Sequence, residues 1–191
     1  MLNIVIFGPP GAGKGTQSKI VAQEFGLKHI STGEILRAAI VDQSPLGIEA
    51  QRRIDKGNFV SDEIAIGLIE EELGKNGEVK GYVFDGFPRN TLQAAKFDEM
   101  MSLTGHSVTM LISLEVADDE LVARLLNRGK ETDRPDDKEE SIIRKRLDIY
   151  ENTTRPVLDY YKSQGKLKGV DGMGSVNEIF ERICTTIRNA Q

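Results

Sequence analysis

The sequence predicts a three-layer α/β fold: a five-stranded parallel sheet with helices on both faces, a small helical excursion and a short lid. Three observations predict it. A strand, a glycine-rich loop and a helix follow one another at the N-terminus; apolar strands alternate with amphipathic helices along the 191 residues; and polar motifs recur just after strands. Strands joined by helices make a parallel sheet covered on both faces, and such sheets take ligands at the carboxyl ends of their strands.

The first unit carries the strongest signal. Ile4-Val5-Ile6-Phe7 reads as a buried strand, and Gln17 to Phe25 as a helix with Ile20, Val21 and Phe25 on one face. Between them stands Gly8-Pro9-Pro10-Gly11-Ala12-Gly13-Lys14-Gly15-Thr16. Glycines let the backbone curl so that several N–H groups point at one anion; the helix start adds its dipole and Lys14 a mobile charge. This is a phosphate-binding P-loop in its proper setting. The usual Ser or Thr directly after the lysine is replaced by Gly15, with Thr16 next, which leaves the metal-binding hydroxyl open but not the phosphate cradle.

The following elements are read in order. Leu27 to Ile30 is a second strand, with His29 a packing residue. Ser31-Thr32-Gly33-Glu34 opens a helix with Ile35, Leu36 and Ala39 inward; Pro45 ends it, and a second helix runs from about Leu46 to Asp55, closed by Gly57 and Asn58. Two helices without a strand suggest a small inserted subdomain. Ser61 caps a helix whose first turn holds Asp62 and Glu63, as the dipole favours; Ile64, Leu68, Ile69 and Leu73 form its stripe, and Gly74-Lys75-Asn76-Gly77 stops it. Tyr82-Val83-Phe84 is a strand delivering Asp85-Gly86-Phe87-Pro88-Arg89. A helix from Thr91 to Leu103, a strand from Ser107 to Leu114 and a helix from Asp118 to Arg128 follow, the last with Leu121 and Leu125 inward. Gly129 to Lys138 reads as a short polar loop, and His106 as a turn residue without chemistry. A long helix starts at Glu139 with Ile143, Leu147 and Tyr150 on one side, and Pro156 should kink or break it. Lys166 to Val170 is a weak last strand, and Ser175-Val176-Asn177-Glu178 is a capping box opening the final helix.

Composition narrows the function. At 39% hydrophobic and 29% charged residues the chain can bury a core, and no apolar run reaches the ~20 residues that span a bilayer. The first strand begins at once, so no leader is expected. Cys184 is alone, which excludes a disulfide framework and a cysteine zinc site and suits a reducing cytoplasm. A net charge of −5 argues against coating nucleic acid. Yet Lys14, Arg37, Arg89, Arg124, Arg128, Arg134 and Arg146 cluster beside turns and the phosphate loop. Phosphoryl transfer asks for positioning and for such charge around the moving group. Asp85, at a strand end, reads either as a cap of the following turn or as the acidic partner that orients water on Mg²⁺, the second favoured because this placement recurs in P-loop enzymes. No Ser-His-Asp set or paired catalytic carboxylates are visible, and a phosphate monoester acceptor, with a second pKa of roughly 6, needs no base.

Four motifs together resemble the adenylate kinases: the loop from Gly8 to Thr16, Ser31-Thr32-Gly33-Glu34, Asp85-Gly86-Phe87-Pro88-Arg89 and Arg134-Pro135-Asp136-Asp137, in the family's order and spacing. The resemblance covers the chain from Met1 to the last helix. It implies one kinase domain, with a core of residues 1–30, 61–126 and 138–191, an AMP-binding subdomain of residues 31–60 and a short lid of residues 127–137. It implies ATP, AMP and ADP as partners, Mg²⁺ as cofactor without zinc, a role in adenine nucleotide homeostasis, and a cytoplasmic monomer bound to neither membrane nor nucleic acid.

Residue by residue, the resemblance assigns ATP to Gly11, Ala12, Gly13, Lys14, Gly15, Thr16, Arg124, Arg128 and Met173, with Arg124 stacking on its adenine. It assigns AMP to Thr32, Arg37, Asn58, Phe59, Val60, Gly86, Arg89, Gln93, Arg134 and Arg146. Arg37 and Arg89 would grip the AMP phosphate, and Thr32 and Gln93 face its adenine. The catalytic set would be Lys14, Arg89, Arg128, Arg134 and Arg146. Three departures stand out. Glu34 replaces the family's usual Asp, the lid is of the short kind, and the interval from Arg134 to Arg146 is one residue longer than in better-known relatives. Arg144 is therefore an alternative to Arg146, which is preferred because Lys145-Arg146-Leu147 keeps the local pattern.

Rival readings fit less well. UMP and CMP kinases usually lack a Thr at the place of Thr32 and carry Asn near Gln93. A GTPase switch needs Asn-Lys-x-Asp and Asp-x-x-Gly, and Asp85 is followed by Gly86-Phe87-Pro88. A nucleotide-binding module without catalysis would leave the arginines without a task.

Overall fold

A computed structural model describes residues 1–75, 79–132 and 134–190. Among them five strands form one parallel sheet in the order β2-β3-β1-β4-β5, with β1 Leu2–Phe7, β2 Lys28–Ser31, β3 Gly81–Asp85, β4 Met110–Glu115 and β5 Leu167–Asp171. The helices are α1 Lys14–Phe25, α2 Thr32–Val41, α3 Pro45–Ile54, α4 Asp62–Gly74, α5 Thr91–Leu103, α6 Asp118–Glu131, α7 Glu140–Ile149, α8 Pro156–Ser163 and α9 Val176–Arg188.

The central strand explains the layers. Side chains alternate across a strand, so Ile4 and Ile6 enter one core and Val5 and Phe7 the other. The first core is closed by Val21 of α1 and Ile179, Ile183 and Ile187 of α9. The second is closed by Ile69 of α4, Phe97 of α5 and Val157 and Tyr161 of α8. Phe97 sets its edge against Phe84 at 4.7 Å and Phe87 at 5.3 Å between ring centres, which pins the loop after β3 to the sheet. A third small cluster, Leu36, Ala50 and Leu68, joins α2 and α3 to α4.

The expected cap at Ser61 and capping box of Ser175 with Glu178 form, and Ser31 and Ser44 cap their helices as well: Ser61, Ser31 and Ser44 accept the amides of Ile64, Glu34 and Gly47. α4 ends at Gly74 with Lys75 as its cap; the predicted stop also names Asn76 and Gly77, which lie outside the described residues.

Two expectations are corrected, and a third takes a specific form. The fourth strand begins at Met110 rather than Ser107, because Asn3 and Thr109 take over the pairing there: Asn3 Nδ2 donates to the Ser107 carbonyl at 2.9 Å and the Thr109 N–H to the Asn3 carbonyl at 2.8 Å. The α6 helix continues past Arg128 to Glu131 and takes in Gly129, the first residue of the predicted loop. The missing side chain of Gly129 serves packing, since a Cβ there would collide with the Asp137 carbonyl. The loop shrinks accordingly, and Pro135–Asp137 is a 3₁₀ turn. The interruption expected at Pro156 is present: α7 ends at Ile149 and α8 starts at Pro156. The proline ring would crowd the carbonyl four residues back, and the chain relieves this by widening into a π-turn over Tyr150–Thr154, where the Arg155 N–H reaches the Tyr150 carbonyl at 2.8 Å.

Candidate active site

Three motif loops leave the carboxyl ends of the neighbouring strands β2, β3 and β1. After β1 the Ala12 N–H donates to the Pro9 carbonyl at 3.2 Å, and Gly13 enters α1 at φ 89°. A Cβ on Gly13 would meet nothing within 4 Å, so its left-handed backbone rather than crowding calls for glycine. The first α1 amides lack intrahelical partners and add the positive end of the dipole to a cleft lined by Pro10, Gly11, Gly13, Lys14, Gly15 and Thr16. Ala12 itself is fully buried in the core.

Lys14 Nζ rests on the Pro9 carbonyl at 2.9 Å. Burial pushes its pKa down to about 8; Asp85 resists, while Arg89, Arg146 and Arg128 add to the fall. The same cleft is lined by Arg37, Arg89, Arg128, Arg134 and Arg146. Desolvation lowers Arg37 and Arg134 below the usual arginine range and brings Arg89 to about 10. Half-buried cations held this close gain when an anion arrives.

A second cavity adjoins the first. Thr32, Arg37, Asn58, Phe59, Val60, Gly86, Arg89, Gln93, Arg134 and Arg146 all line it, and Arg37, Gly86, Arg89, Arg134 and Arg146 line both. Its geometry is tightly bonded. Thr32 Oγ1 donates to the Gly86 carbonyl at 3.0 Å, Arg89 Nε donates to the same carbonyl at 2.7 Å, and the Arg89 guanidinium lies 4.5 Å from the centre of the Phe59 ring. Gln93 is buried, with Oε1 accepting the Arg89 N–H at 2.7 Å.

Arg128 and Arg146 converge on Asp137, which is fully buried. Burial alone would raise the Asp137 carboxyl, but the Arg128 bonds and the charges of Arg128 and Arg146 outweigh it and hold it below the ordinary carboxylate range. Arg146 also pairs with Asp136 at 2.9 Å. Arg144 instead lies exposed and pairs with Glu140 at 2.6 Å, outside both cavities.

Arg124 and Met173 stand apart from these cavities but near each other. Arg124 pairs with Glu120 at 2.7 Å and donates through both terminal nitrogens to the Gly172 carbonyl at 3.2 Å. Met173, partly exposed, follows in the same loop, its N–H on Asp171 Oδ1 at 2.9 Å.

Asp85 Oδ2 accepts from Ser31 Oγ at 3.2 Å and shares the cleft with Thr16. One carboxylate and one hydroxyl beside a cationic cleft suit Mg²⁺, which uses few protein oxygens and completes its shell with phosphate and water. Among the described residues no group of three or more His, Cys, Asp or Glu gathers.

Sequence reasoning missed several participants. Lys19 and Glu34 pair at 2.6 Å within the phosphate cleft, joining α1 to α2. Asp136 and Asp137 were motif residues without a task, and Asp62 was only a helix-start charge. None of these pairings has a sequence signal, because each partner lies on another element.

A family model described as "Adenylate kinase" matches residues 6–166. The "Adenylate kinase" of Parabacteroides distasonis is 44% identical over 191 residues, 100% of each chain. That of Bacteroides thetaiotaomicron is 43% identical over 187 residues, 98% of each chain. That of Flavobacterium psychrophilum is 44% identical over 189 residues, 99% of this chain and 100% of the relative. With likeness of this depth along the whole chain, and a phosphate loop opening on an arginine-lined double cavity, this chain belongs to the adenylate kinase family.

Proposed function

We infer that the reaction of this adenylate kinase, reversible transfer of a phosphoryl group from ATP to AMP to give two ADP, is carried by the residues around the two joined cavities. The observation that supports this most is the sharing of Arg37, Arg89, Arg134 and Arg146 between the phosphate-loop cleft and the Thr32–Gln93 pocket. Two phosphate chains entering from opposite sides would meet among these cations, and a largely dissociative transfer needs little more than alignment and charge.

In this reading the loop amides and Lys14 hold the β- and γ-phosphates of ATP, while Arg124 and the Met173 loop take its adenine. Arg37 and Arg89 hold the AMP phosphate, and Thr32, Gln93 and the Asn58-Phe59-Val60 backbone enclose its base. Arg128, Arg134 and Arg146 gather around the transferring group. The acceptor oxygen is already anionic at neutral pH, so no side chain has to remove a proton. Adenylate kinases work on MgATP; here Asp85 and Thr16 would hold the Mg²⁺ through its waters, and the ion would neutralise phosphate charge. Residues 31–60, and residues 127–132 with 134–137, would act as the moving pieces that exclude water during transfer. The lone, buried Cys184 supports work in a reducing cytoplasm. Among the described residues no helix is long and apolar enough to cross a membrane.

The test is ADP formation from ATP with AMP, CMP, UMP and GMP as acceptors. Two ADP per turnover with AMP, and kcat/KM for AMP at least tenfold above the others, is expected. Equal turnover of the pyrimidine monophosphates would overturn the acceptor assignment.

A further inference from the structure

We propose that Asp62 sets the acceptor-base specificity of this enzyme by fixing which end of the Gln93 amide is donor and which is acceptor. Gln93 Nε2 donates to Asp62 Oδ1 at 2.7 Å, and Gln93 Oε1 accepts the Arg89 N–H at 2.7 Å. A carboxylate only accepts and a backbone N–H only donates, so the amide has one permitted orientation. A third member locks the arrangement. Asn90 donates from Nδ2 to the same Asp62 oxygen at 2.9 Å and accepts the Gln93 N–H at 2.8 Å. Asp62 begins α4 while Asn90 and Gln93 begin α5, so the ring ties two helix starts together beside the cavity.

Each partner uses half of the amide. One Nε2 hydrogen and one Oε1 lone pair remain for a ligand, and Gln93 lines the acceptor cavity with Thr32 and Gly86. Adenine presents the matching edge, an amino hydrogen at position 6 beside an unprotonated N1. Hypoxanthine has the same size and shape but the reverse edge, a carbonyl at position 6 beside N1–H. To bind it the amide would have to turn over, leaving Asp62 facing an oxygen and the Arg89 N–H facing an NH₂. Gln93 is buried and its partners are half-buried, so a mismatched base that leaves them unpaired is rejected. Asp62 touches no substrate in this scheme; it is a positioning residue. The proposal rests on Gln93 reading the acceptor base.

The experiment measures kcat/KM for AMP and for IMP, with ATP as donor, in the parent enzyme and in Asp62→Ala, Asp62→Ser and Gln93→Ala, with thermal melting to establish folding. Asp62→Ser keeps a residue suited to a helix start but cannot span the distance to Nε2, so it serves if the alanine variant does not fold. The AMP-to-IMP ratio is expected to fall tenfold or more in the Asp62 variants, mainly through KM, with the KM for ATP unchanged. A purely structural role for Asp62 would weaken both acceptors alike and leave the ratio as in the parent, which overturns the proposal. A ratio that collapses in Gln93→Ala but not in the Asp62 variants removes Asp62 alone; a ratio that survives Gln93→Ala removes the base-reading role of Gln93 and this proposal with it.

Discussion

Asp137 receives Arg128 through both carboxylate oxygens, at 2.6 and 3.0 Å, in a fork-on-fork pair. Its Oδ1 also takes Arg146 at 2.6 Å. Two arginines assigned to the transferring phosphoryl group thus rest on one internal anion of matching geometry.

Removing that anion should destabilise the enzyme and make nucleotide a better stabiliser. Asp137→Ala is expected to cost about 2–3 kcal/mol, under the ~3–5 of a fully buried pair because Arg128 is partly open to water. A bisubstrate analogue joining two adenosines through a phosphate chain should restore more of the melting temperature in the variant than it adds to the parent. Equal gains would show that phosphate does not replace Asp137. The folded Asp137 carboxyl lies below its unfolded value, so its contribution is complete above pH ~4. It is lost as the pH drops through the lowered folded pKa, and the gap between parent and variant should close there.

Lys14→Met should leave the fold intact and reduce turnover by about 10²–10³-fold, since one preorganised charge on the phosphates is lost. Steady-state kinetics on the folded variant decides this, and near-parental kcat would refute it.

The pH dependence of nucleotide binding offers a separate test of Lys14. Its free-state pKa of about 8 should rise when phosphates bind, so binding takes up a proton above pH 8. ATP affinity should then be flat below pH 8 and fall above it, approaching tenfold per pH unit. Lys14→Arg should flatten the profile between pH 7 and 9. Calorimetric titrations in buffers of different ionisation enthalpy would detect the proton directly. Folding stability carries the opposite sign: the unfolded lysine, near ~10.4, keeps its proton longer, so this residue's contribution rises with pH from 8 to about 10.

Thr32→Ala with Gln93→Asn should raise KM for AMP by about tenfold or more and narrow its lead over CMP and UMP, because the shorter amide loses its fixed contacts. Competition kinetics with the three acceptors measures this. Full AMP preference in the double variant would move base reading elsewhere.

Closure can be followed with labels at exposed Val41 in α2 and exposed Glu131 at the end of α6, each changed to Cys. Cys184 is buried and would stay unlabelled. The distance between the labels should shorten when the bisubstrate analogue saturates the enzyme. A constant distance would argue against closure and leave the phosphate site untouched.

Much of this was legible in the sequence because the signals were local. Strand runs, serine caps, the capping box and the glycine loop each specify their own segment, and α5 falls on Thr91–Leu103 as its pattern predicts. What escaped was set by distant partners. The pattern ends α6 at Arg128, and only Asp137 packed against Gly129 shows how the helix runs on; Pro156 signals an interruption but not the π-turn that forms it. Asp62 offers a helix-start charge and nothing more, since Gln93 stands 31 positions away on another helix. The arginines were countable, but their division between the cavities and the exterior was not: Arg144 and Arg146 differ only in which side of one helical turn they occupy.

The strand order has a consequence for how such an enzyme can vary. β2, β3 and β1 are immediate neighbours, in continuous register from Ser31↔Asp85 to Ile6↔Asp85. Adjacent strands stand about 4.8 Å apart by backbone hydrogen bonding alone, whatever their side chains. The carboxyl end of the sheet is therefore a ruler graduated in peptide units, with the phosphate loop on one mark and the loops after β3 and β2 on the next two. Helices on the periphery can lengthen, loosen or be exchanged without moving those marks. Drift in sequence would tune melting temperature long before it altered the spacing of the loops that line the two cavities.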